Sequence, residues 1–512
     1  MALAPYNEKA ALSAAHLLKN FEYEAFKLQL EAQQIAIVFD DDAAASTEGK
    51  WTLELIVNLL AKLYPVLSIM PLEGDKNRLA AWLKEHAKAI NPRIELEEGL
   101  ADTSVCVVVG SRVPVGPQRI IYAGSDGWIA KFSAFEPVRS GTTHNPFGAG
   151  AAACFAAANV FRAVFAEQLH NNALDGRLTF SVLDHTQGEE ILRNPNLIDV
   201  DLQESFLVGL GAIGNGAIWA LARCQNLTGD LHLIDHEALD ATNPQRYVLA
   251  RYTDGVEAVP KVSVAMREFA MTSFTPQLHF ERWGEYLLKR GDWHLGRVAV
   301  ALDTAADRTS IQASLPEWVV NAWTQPENLG VSRHAFLDEY ACLACLYWPT
   351  EKIKDESTLV AEAINLPDDD LLRRLLYTDQ PVPRDYLLQI AAAKALPEEA
   401  VLAFEGATLR QFYSRAICGG ALLPCGVEAS EGTQAEIPMA FQSALAGIML
   451  AAELVGHAGK LKIGPPTKTE INLLRPLQKH LSSYLKKTDR CFCQDTDFIE
   501  AYRTKYHNLV TQ

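Results

Sequence analysis

The sequence predicts an α/β protein built from two similar units, and two observations support this prediction. Apolar strand-like runs alternate with helical patterns over residues 34–169, and the same alternation begins again at Phe206. Each stretch closes with a proline and a helix of small residues, at Pro146 and at Pro438. Such alternation is typical of helices packed on a largely parallel sheet. Any buried helix packed closely on a sheet is also rich in alanine and glycine, so the similar endings indicate a duplication only weakly.

The chain is long enough to hold more than one domain. Its 512 residues correspond to two or three domains of ordinary size. We expect an α/β domain over residues 1–198 and a second over residues 199–512. Between residues 350 and 415 the composition changes to charged helical patterns interrupted by prolines, which predicts a helical insertion within the second unit.

The overall composition limits the classes of partner. Hydrophobic residues make up 49% of the chain and charged residues 21%, as in ordinary folded proteins. A formal net charge of −17 argues against binding to nucleic acid or to an anionic membrane surface. The first residues lack a basic region followed by an apolar core. We therefore expect a cytoplasmic protein whose partners are proteins or small molecules.

A glycine motif follows the first strand of the second unit. Gly209, Gly211 and Gly214 form G-x-G-x-x-G between an apolar run and an alanine-rich helix. Glycines allow a sharp turn, and the first N–H groups of a helix bind phosphate. Asp235 ends the next strand, where a carboxylate can hold a ribose hydroxyl of NAD or of ATP equally well. The loop alone therefore leaves open a dinucleotide, another nucleotide or a structural role.

The polar residues that follow favour a triphosphate. Asn243 and Arg246 come shortly after Asp235, and Lys261 comes next. These side chains would bring positive charge to the position of a triphosphate, whereas a hydride-transfer site needs a neutral pocket for nicotinamide. Asp303 then ends a later strand. Each residue taken singly is commonly a helix cap or part of a surface ion pair, but their order and spacing together indicate ATP chemistry.

Two cysteine pairs predict a metal site. Cys342 and Cys345 have C-x-x-C spacing, and Cys491 and Cys493 have C-x-C spacing. Four thiolates match the tetrahedral preference of zinc, and a set with no open position indicates a structural ion. The total of nine cysteines is odd and fits a reducing compartment better than a disulfide framework. The zinc would tie the C-terminal tail to the second α/β unit.

The glycine loop and the polar residues together resemble the ThiF/MoeB-type adenylyltransferases, the family of ubiquitin-activating enzymes. The family pattern is G-x-G-x-x-G, then D-x-D-x-V-x-x-S-N-L-x-R-Q, a P-K pair and D-x-x-x-x-R. The matching residues are Gly209, Gly211 and Gly214, Asp235, Asn243 and Arg246, Pro260 and Lys261, and Asp303 with Arg308. The departures are Glu237 for the second Asp, Thr242 for Ser, Pro244 for Leu and Tyr247 for Gln. The first two departures keep the chemistry of the side chain.

The resemblance implies a fold and a reaction. It implies two Rossmann-like units of the adenylation type, of which the N-terminal one is inactive because it lacks the glycine loop. In the second unit, ATP would lie over that loop. Asp235 and Glu237 would lie at the ribose and metal, Asn243, Arg246 and Lys261 at the phosphates, and Asp303 at magnesium. The C-terminal carboxylate of a ubiquitin-like protein would then attack the α-phosphate and form an acyl-adenylate.

The resemblance also implies later steps and partners. A cysteine would accept the acyl group as a thioester and pass it to a ubiquitin-conjugating-like enzyme. The size of the chain and its "IPMAFQSALAG" segment are similar to the bacterial activating enzymes of ubiquitin-like conjugation operons, including antiviral Bil-type systems. Because the family is usually dimeric, we expect a homodimer.

Two cysteines compete for the role of thioester nucleophile. Small members of the family place it about a dozen residues before the proline that opens the closing helix, which is closer to the position of Cys425. We predict Cys418 instead, because Gly419 and Gly420 follow it and allow a bulky acyl terminus to approach the sulfur. Three other cysteines are expected in the core, namely Cys106, Cys154 and Cys224.

Three other functions compete with this interpretation. A sulfur-carrier adenylyltransferase would form the adenylate without an obligatory thioester. An NAD-binding oxidoreductase would use the same glycine loop. A catalytically inactive scaffold would result if Glu237 were incompatible with ATP.

Overall fold

The computed structural model shows two α/β units, each organised around its own sheet. The structure describes residues 2–72, 77–117, 119–188, 193–270, 272–348, 356–378, 380–394, 396–413, 437–462, 466–478 and 481–507. The first sheet lies within residues 34–181 and the second within residues 200–483. We propose the boundary between the units at residues 198 and 199, which lie between these two ranges.

The N-terminal unit has a mostly parallel sheet. Its elements are α1 (Asn7–Ala15), α2 (Tyr23–Glu31), β1 (Gln34–Phe39), α3 (Asp41–Ala45), α4 (Thr47–Ala61), β2 (Val66–Pro71), α5 (Asn77–Ile90), β3 (Glu95–Glu97), β4 (Val105–Val109), β5 (Ile120–Asp126), β6 (Ile129–Ser133), α6 (Pro146–Val164) and β7 (Arg177–Ser181). The strand order is β3-β2-β1-β4-β5-β6-β7. The first five strands in this order are parallel, and β6 and β7 are antiparallel to their neighbours.

The first part of the second unit carries the glycine motif. Its elements are β8 (Val200–Val208), α7 (Ala212–Leu221), β9 (Leu227–Ile234), a 3-10 helix (Asn243–Gln245), α8 (Tyr252–Val256), α9 (Lys261–Phe269), β10 (Gln277–His279), α10 (Trp283–Arg290), β11 (Arg297–Val300), α11 (Ala305–Ala313), β12 (Trp318–Thr324), β13 (Asn328–Ala335) and α12 (Leu343–Tyr347). The glycine motif connects β8 to α7, as the sequence predicts.

The rest of the second unit contains the helical insertion and the closing elements. They are α13 (Glu356–Ile364), α14 (Asp370–Tyr377), α15 (Arg384–Ala393), α16 (Glu398–Leu402), α17 (Leu409–Phe412), α18 (Ala440–Ala458), β14 (Lys468–Asn472), β15 (Ser482–Ser483), a 3-10 helix (Phe492–Gln494) and α19 (Thr496–His507). The helices α13 to α17 surround a hydrophobic cluster of their own. The predicted helical insertion is thus confirmed.

The two sheets share one topology. The second sheet has the order β10-β9-β8-β11-β12-β13-β14-β15, with the first five strands parallel and the others antiparallel. In each sheet the first strand of the unit is the third strand from one edge. In each sheet the pairing changes from parallel to antiparallel after the fifth strand of that order. The prediction of an α/β fold with two Rossmann-like units is therefore confirmed, and the repeated order supports the duplication.

The small residues of the closing helices allow close packing. A Cβ atom on Gly447 of α18 would lie 2.0 Å from the carbonyl oxygen of Ile213 in α7. A Cβ atom on Gly150 of α6 would lie 2.5 Å from the ring of Trp219 in α7. The closing helices of both units thus pack against the helix that follows the glycine loop, and both belong to one continuous core.

The same two helices are apolar and long enough to cross a membrane. Within the described part of the chain, α6 and α18 meet this criterion of length and composition. In the apolar window of each helix, 89% of the residues of α6 and 94% of those of α18 are buried inside the protein. Packing in the core therefore accounts for their apolar character.

Candidate functional site

Glycine is required at two positions of the loop between β8 and α7. Gly209 has a φ of +91°, in the left-handed region, and a Cβ atom there would lie 2.5 Å from the carbonyl oxygen of Ala301. A Cβ atom on Gly214 would lie 2.2 Å from the carbonyl oxygen of Gly209. Gly211 is the N-cap of α7, and no side chain caps this helix. The first N–H groups of α7 are therefore left to an external acceptor, as in a phosphate site.

Asp235 joins the glycine loop to the neighbouring strand. It follows β9 directly and is buried. Its carboxylate accepts hydrogen bonds from the backbone N–H of Leu210 at 2.7 Å and of Glu237 at 2.8 Å. Each carboxylate oxygen keeps acceptor capacity beyond its one backbone donor. Asp235 thus lies at the strand end where the sequence predicts a ribose ligand.

The ring of Tyr247 lies among the predicted charged residues. The guanidinium carbon of Arg246 is 5.9 Å from the ring centroid, and the Nζ of Lys261 is 5.4 Å from it. The Tyr247 hydroxyl lies 3.5 Å from the position of a Cβ atom on Gly211. Burial raises the pKa of Tyr247, and so does the charge of Asp303. The charges of Lys261 and Arg246 lower it. These residues therefore surround one position beside the glycine loop.

Lys261 is a buried cation at the start of α9. Its ammonium forms an ion pair with the carboxylate of Glu237. Burial lowers the pKa of Lys261, but Tyr247, Asp235 and Glu237 raise it, so it lies above the ordinary value for lysine. Burial raises the pKa of Glu237, but Lys261 outweighs that effect and the pKa lies below its ordinary value. Both groups are therefore charged at neutral pH.

Arg246 and Asp303 have no ion-pair partner among the residues that the structure describes. Arg246 is half-buried next to Tyr247, and Asp303 is exposed in the loop after β11. Charged side chains without a protein partner at the edge of a sheet are available to a ligand. These two residues are the predicted site residues most open to a phosphate and to a metal ion.

Two residues of the family pattern form hydrogen bonds with other side chains of the protein instead. The Asn243 amide donates a hydrogen bond to Asp240 Oδ2 at 2.6 Å and so stabilises its own turn. The Arg308 guanidinium donates to the Tyr347 hydroxyl at 3.0 Å and lies over that ring at 4.9 Å. The Asn243 amide thus uses one of its two N–H groups on Asp240.

A residue of the N-terminal unit also reaches this site, which the sequence analysis missed. Lys9 of α1 donates a hydrogen bond from its Nζ to Thr242 Oγ1 at 2.6 Å. Burial and the neighbouring charge of Arg246 lower the pKa of Lys9, while Asp240 raises it. Lys9 thus adds a third cation beside Arg246 and Lys261. No spacing pattern indicates this residue, because it lies in the other unit.

The corresponding position of the N-terminal unit is filled by a carboxylate. Asp40 follows β1 as Gly209 follows β8. Its oxygens accept hydrogen bonds from the backbone N–H of Ala43 at 2.9 Å and of Ser111 at 2.6 Å. A Cβ atom on Gly110 would lie 2.3 Å from Asp40 Oδ1. A negative side chain therefore occupies the helix N-terminus where a phosphate would otherwise bind.

The four predicted metal ligands come together. The Sγ atoms of Cys342, Cys345, Cys491 and Cys493 are buried and lie within 4.8 Å of one another. Three neighbouring Sγ pairs are 3.5 to 3.7 Å apart. A tetrahedral zinc ion with Zn–S bonds of about 2.3 Å places its sulfurs about 3.8 Å apart. Hydrogen bonds among the four cysteines lower the pKa of Cys345 and Cys493 and raise the pKa of Cys342 and Cys491.

The other cysteines of the described residues are core thiols. Cys106, Cys154 and Cys224 are buried, as predicted. Burial raises the pKa of Cys106 to about 12 and also raises the pKa of the other two thiols. Cys418 and Cys425, the two candidates for the thioester nucleophile, lie outside the described residues.

Comparison with known proteins places the chain in a family. The fold and the site are those of a two-unit α/β protein with a phosphate-type glycine loop and a four-cysteine cluster. The protein y4jF of Sinorhizobium fredii (strain NBRC 101917 / NGR234), itself uncharacterized, is 46% identical over 514 residues, covering 100% of this chain and 98% of y4jF. The chain belongs to the same family as y4jF.

A family model and solved structures are similar to parts of the chain. The model described as prokaryotic E2 family C matches residues 38–166, which lie in the N-terminal unit. E. coli MccB, solved with AMPCPP and MccA, is 14% identical, with a TM-score of 0.33 over 58% of this chain and 66% of that one. A second structure of MccB is also 14% identical, with a TM-score of 0.33 over 58% of this chain and 65% of that one. The chain thus spans slightly less than two thirds of MccB.

Proposed function

We propose that this protein is an adenylating enzyme that activates the C-terminal carboxylate of a ubiquitin-like protein. The carboxylate oxygen attacks the α-phosphorus of ATP, and the bond from that phosphorus to the pyrophosphate oxygen breaks. The products are an acyl-adenylate and pyrophosphate. The observation that carries the proposal is the arrangement of Arg246, Lys261 and Asp303 around Tyr247, next to the N-terminus of α7.

Each site residue has a role that matches its position. The first N–H groups of α7, with Arg246 and Lys261, bind the phosphates and stabilise the charge that develops during the attack. Asp235 binds the ribose, and Glu237 holds Lys261 in place. Asp303 is the residue that would hold magnesium, which neutralises phosphate charge when bound. The hydrogen bond from Asn243 to Asp240 stabilises the turn before Arg246.

The N-terminal unit supports this site and does not adenylate. Asp40 occupies the position of a phosphate there, and Lys9 extends from this unit to the second one. The description prokaryotic E2 family C supports a role in conjugation. The two cysteines of this unit, Cys106 and Cys154, are buried with raised pKa values. We therefore assign the conjugating step to a separate enzyme.

A thioester follows the adenylate in this proposal. The thiolate of Cys418 attacks the acyl carbon, AMP leaves, and the acyl group then passes to the conjugating enzyme. We further propose a cytoplasmic homodimer that acts in a bacterial ubiquitin-like conjugation operon of the Bil type. Zinc held by the four cysteines would stabilise the C-terminal tail.

Titration with ATP tests the adenylation site. In the presence of magnesium, calorimetry should show binding of α,β-methylene-ATP and none of NAD. Asp303→Ala should weaken the magnesium-dependent binding about tenfold or more, because a charged contact contributes about 1.5 to 3 kcal/mol. Asp307→Ala is the matched control, since Asp307 is also exposed and caps α11 through Thr304. Binding of NAD without ATP would support an oxidoreductase instead.

A gel assay tests the thioester. With ATP, magnesium and a ubiquitin-like protein of the proposed operon, wild type should form an adduct that a reducing agent cleaves. Cys418→Ala should lose this adduct and keep pyrophosphate release, whereas Cys425→Ala should keep both. Loss of the adduct in Cys425→Ala alone would move the nucleophile to Cys425. Pyrophosphate release without an adduct in the wild type would favour a sulfur-carrier adenylyltransferase.

A further inference from the structure

One face of α4 in the N-terminal unit binds the backbone of the second unit. The Nζ of Lys62, at the C-cap of α4, donates hydrogen bonds to the carbonyl oxygens of Pro244 at 2.6 Å and Tyr247 at 3.1 Å. The amide of Asn58, one turn earlier, donates to the carbonyl oxygen of Val248 at 2.8 Å. All three acceptors lie within residues 244–248. The N-terminal unit thus donates three side-chain hydrogen bonds to this part of the second unit.

Lys62 is an unusual residue for this position. It is only 2% exposed, and no carboxylate pairs with it among the described residues. Burial lowers its pKa to about 7. A buried ammonium without a carboxylate costs free energy, which an apolar side chain of similar length would avoid. The ammonium binds the carbonyl oxygen of Pro244 within a 3-10 helix and that of Tyr247 just after this helix.

The segment held by Lys62 carries a residue of the nucleotide site. Arg246 lies between the two residues whose carbonyl groups accept from Lys62. The Arg246 side chain has no ion pair in the described part of the chain, and its guanidinium carbon lies 5.9 Å from the centroid of the Tyr247 ring. Its position therefore depends on the backbone of residues 244–248.

We propose that Lys62 is a positioning residue for the nucleotide site, which holds residues 244–248 so that Arg246 faces the phosphates. This inference rests on the proposed function. It gives the N-terminal unit a specific task, namely to keep the phosphate-binding arginine of the second unit in place.

The first experiment compares two buried lysines. Lys62→Met should weaken binding of magnesium and α,β-methylene-ATP at least tenfold in calorimetry. Lys505→Met is the matched control, because Lys505 is also 2% exposed and donates to a backbone carbonyl, that of Ser314, at 2.9 Å. Each substitution removes both the cost of burying the ammonium and its hydrogen bonds to backbone carbonyl groups, so the melting temperature of both variants is measured as well. Lys505→Met should bind the analogue within twofold of wild type. Unchanged binding by Lys62→Met would overturn the inference.

A double-mutant cycle with Arg246→Ala tests whether Lys62 affects analogue binding through Arg246. If Lys62 acts through Arg246, Lys62→Met should weaken binding less than twofold in the Arg246→Ala background. The same tenfold loss in both backgrounds would overturn the inference. If Lys62→Met does not fold, Asn58→Leu takes its place in the cycle, with an expected loss of about threefold in the wild-type background and none beyond Arg246→Ala.

The wild-type titration separates this inference from the proposed function. Absence of analogue binding by the wild-type protein would overturn the proposed function and, with it, the role of Lys62. Binding by the wild type together with unaffected Lys62→Met would overturn the role of Lys62 alone.

Discussion

Gly214 shows how one missing side chain shapes the glycine loop. A Cβ atom at this position would lie 2.2 Å from the carbonyl oxygen of Gly209. This oxygen belongs to the backbone, so it cannot move without the rest of the loop. The loop and the first turn of α7 would have to separate. The distance between the loop and the helix therefore depends on this glycine.

Gly214→Ala should lower the free energy of unfolding by about 1 to 3 kcal/mol, the usual cost of overpacking, and weaken binding of the ATP analogue. Urea unfolding and calorimetry measure both effects. Gly284→Ala is the control, because Gly284 lies in α10 with no atom within 4 Å of an added Cβ. Alanine there should be neutral or stabilising by up to about 1 kcal/mol. Equal losses in both variants would contradict the steric explanation.

The C-terminal tail is an element whose position depends on the cysteine cluster. Cys491 is the N-cap of the second 3-10 helix and Cys493 lies within it, just before α19, and both contact the pair at α12. The hydrophobic cluster around these sulfurs is small and separate from the main core. A bound metal would supply cross-links that this small cluster lacks.

Purified protein should therefore contain about one zinc ion per chain, and Cys491→Ser should lose it. Loss of the ion should lower stability by several kcal/mol, roughly the scale of structural zinc sites, without a selective effect on nucleotide binding. Metal analysis and thermal unfolding measure these changes. Cys224→Ala, at a buried cysteine in another cluster, should keep the zinc. Full stability of metal-free protein would refute the structural role.

For the molecule as a whole, we expect acid to destabilise the interface between the two units. His86 of α5 lies near Asn58, with its Nε2 3.4 Å from the Asn58 amide nitrogen. Burial, together with the charges of Lys62 and Arg223, lowers the pKa of His86 to about 4. The unfolded chain takes up this proton near the ordinary pKa of histidine, at about 6.5. Stability should therefore fall as the pH falls from 6.5 to 4.

His86→Gln should reduce the loss of thermal stability between pH 7 and pH 4.5, because the variant has no imidazole to protonate. The melting temperature of the wild type should therefore fall more steeply than that of the variant as the pH decreases. His144→Gln, at an exposed histidine of the same unit, should follow the wild type. Parallel curves for wild type and His86→Gln would show that His86 does not contribute to the acid sensitivity.

Much of the site could be predicted because its chemistry is local. Gly209, Gly214 and Asp235 lie at a strand-to-helix turn and at the next strand end, where backbone geometry decides the residue type. The cysteine pairs have spacings that bring two sulfurs to one side of a short turn. Asn243 and Arg308 match the same pattern in sequence, yet their side chains bind Asp240 and Tyr347. A sequence pattern predicts where a side chain lies in the fold. It does not predict which hydrogen-bond partner that side chain contacts.

The two α/β units, the helical insertion, the glycine turn and the cysteine spacing can be read from the sequence alone, because each depends on periodicity or on residues close in the chain. Which distant groups meet at the site depends on tertiary packing. Lys9 and Lys62 act on residues 242–247 from the other unit, and Asp40 fills the corresponding position there. These contacts depend on how α1 and α4 pack against the second unit, and packing across an interface leaves no regular spacing in the sequence.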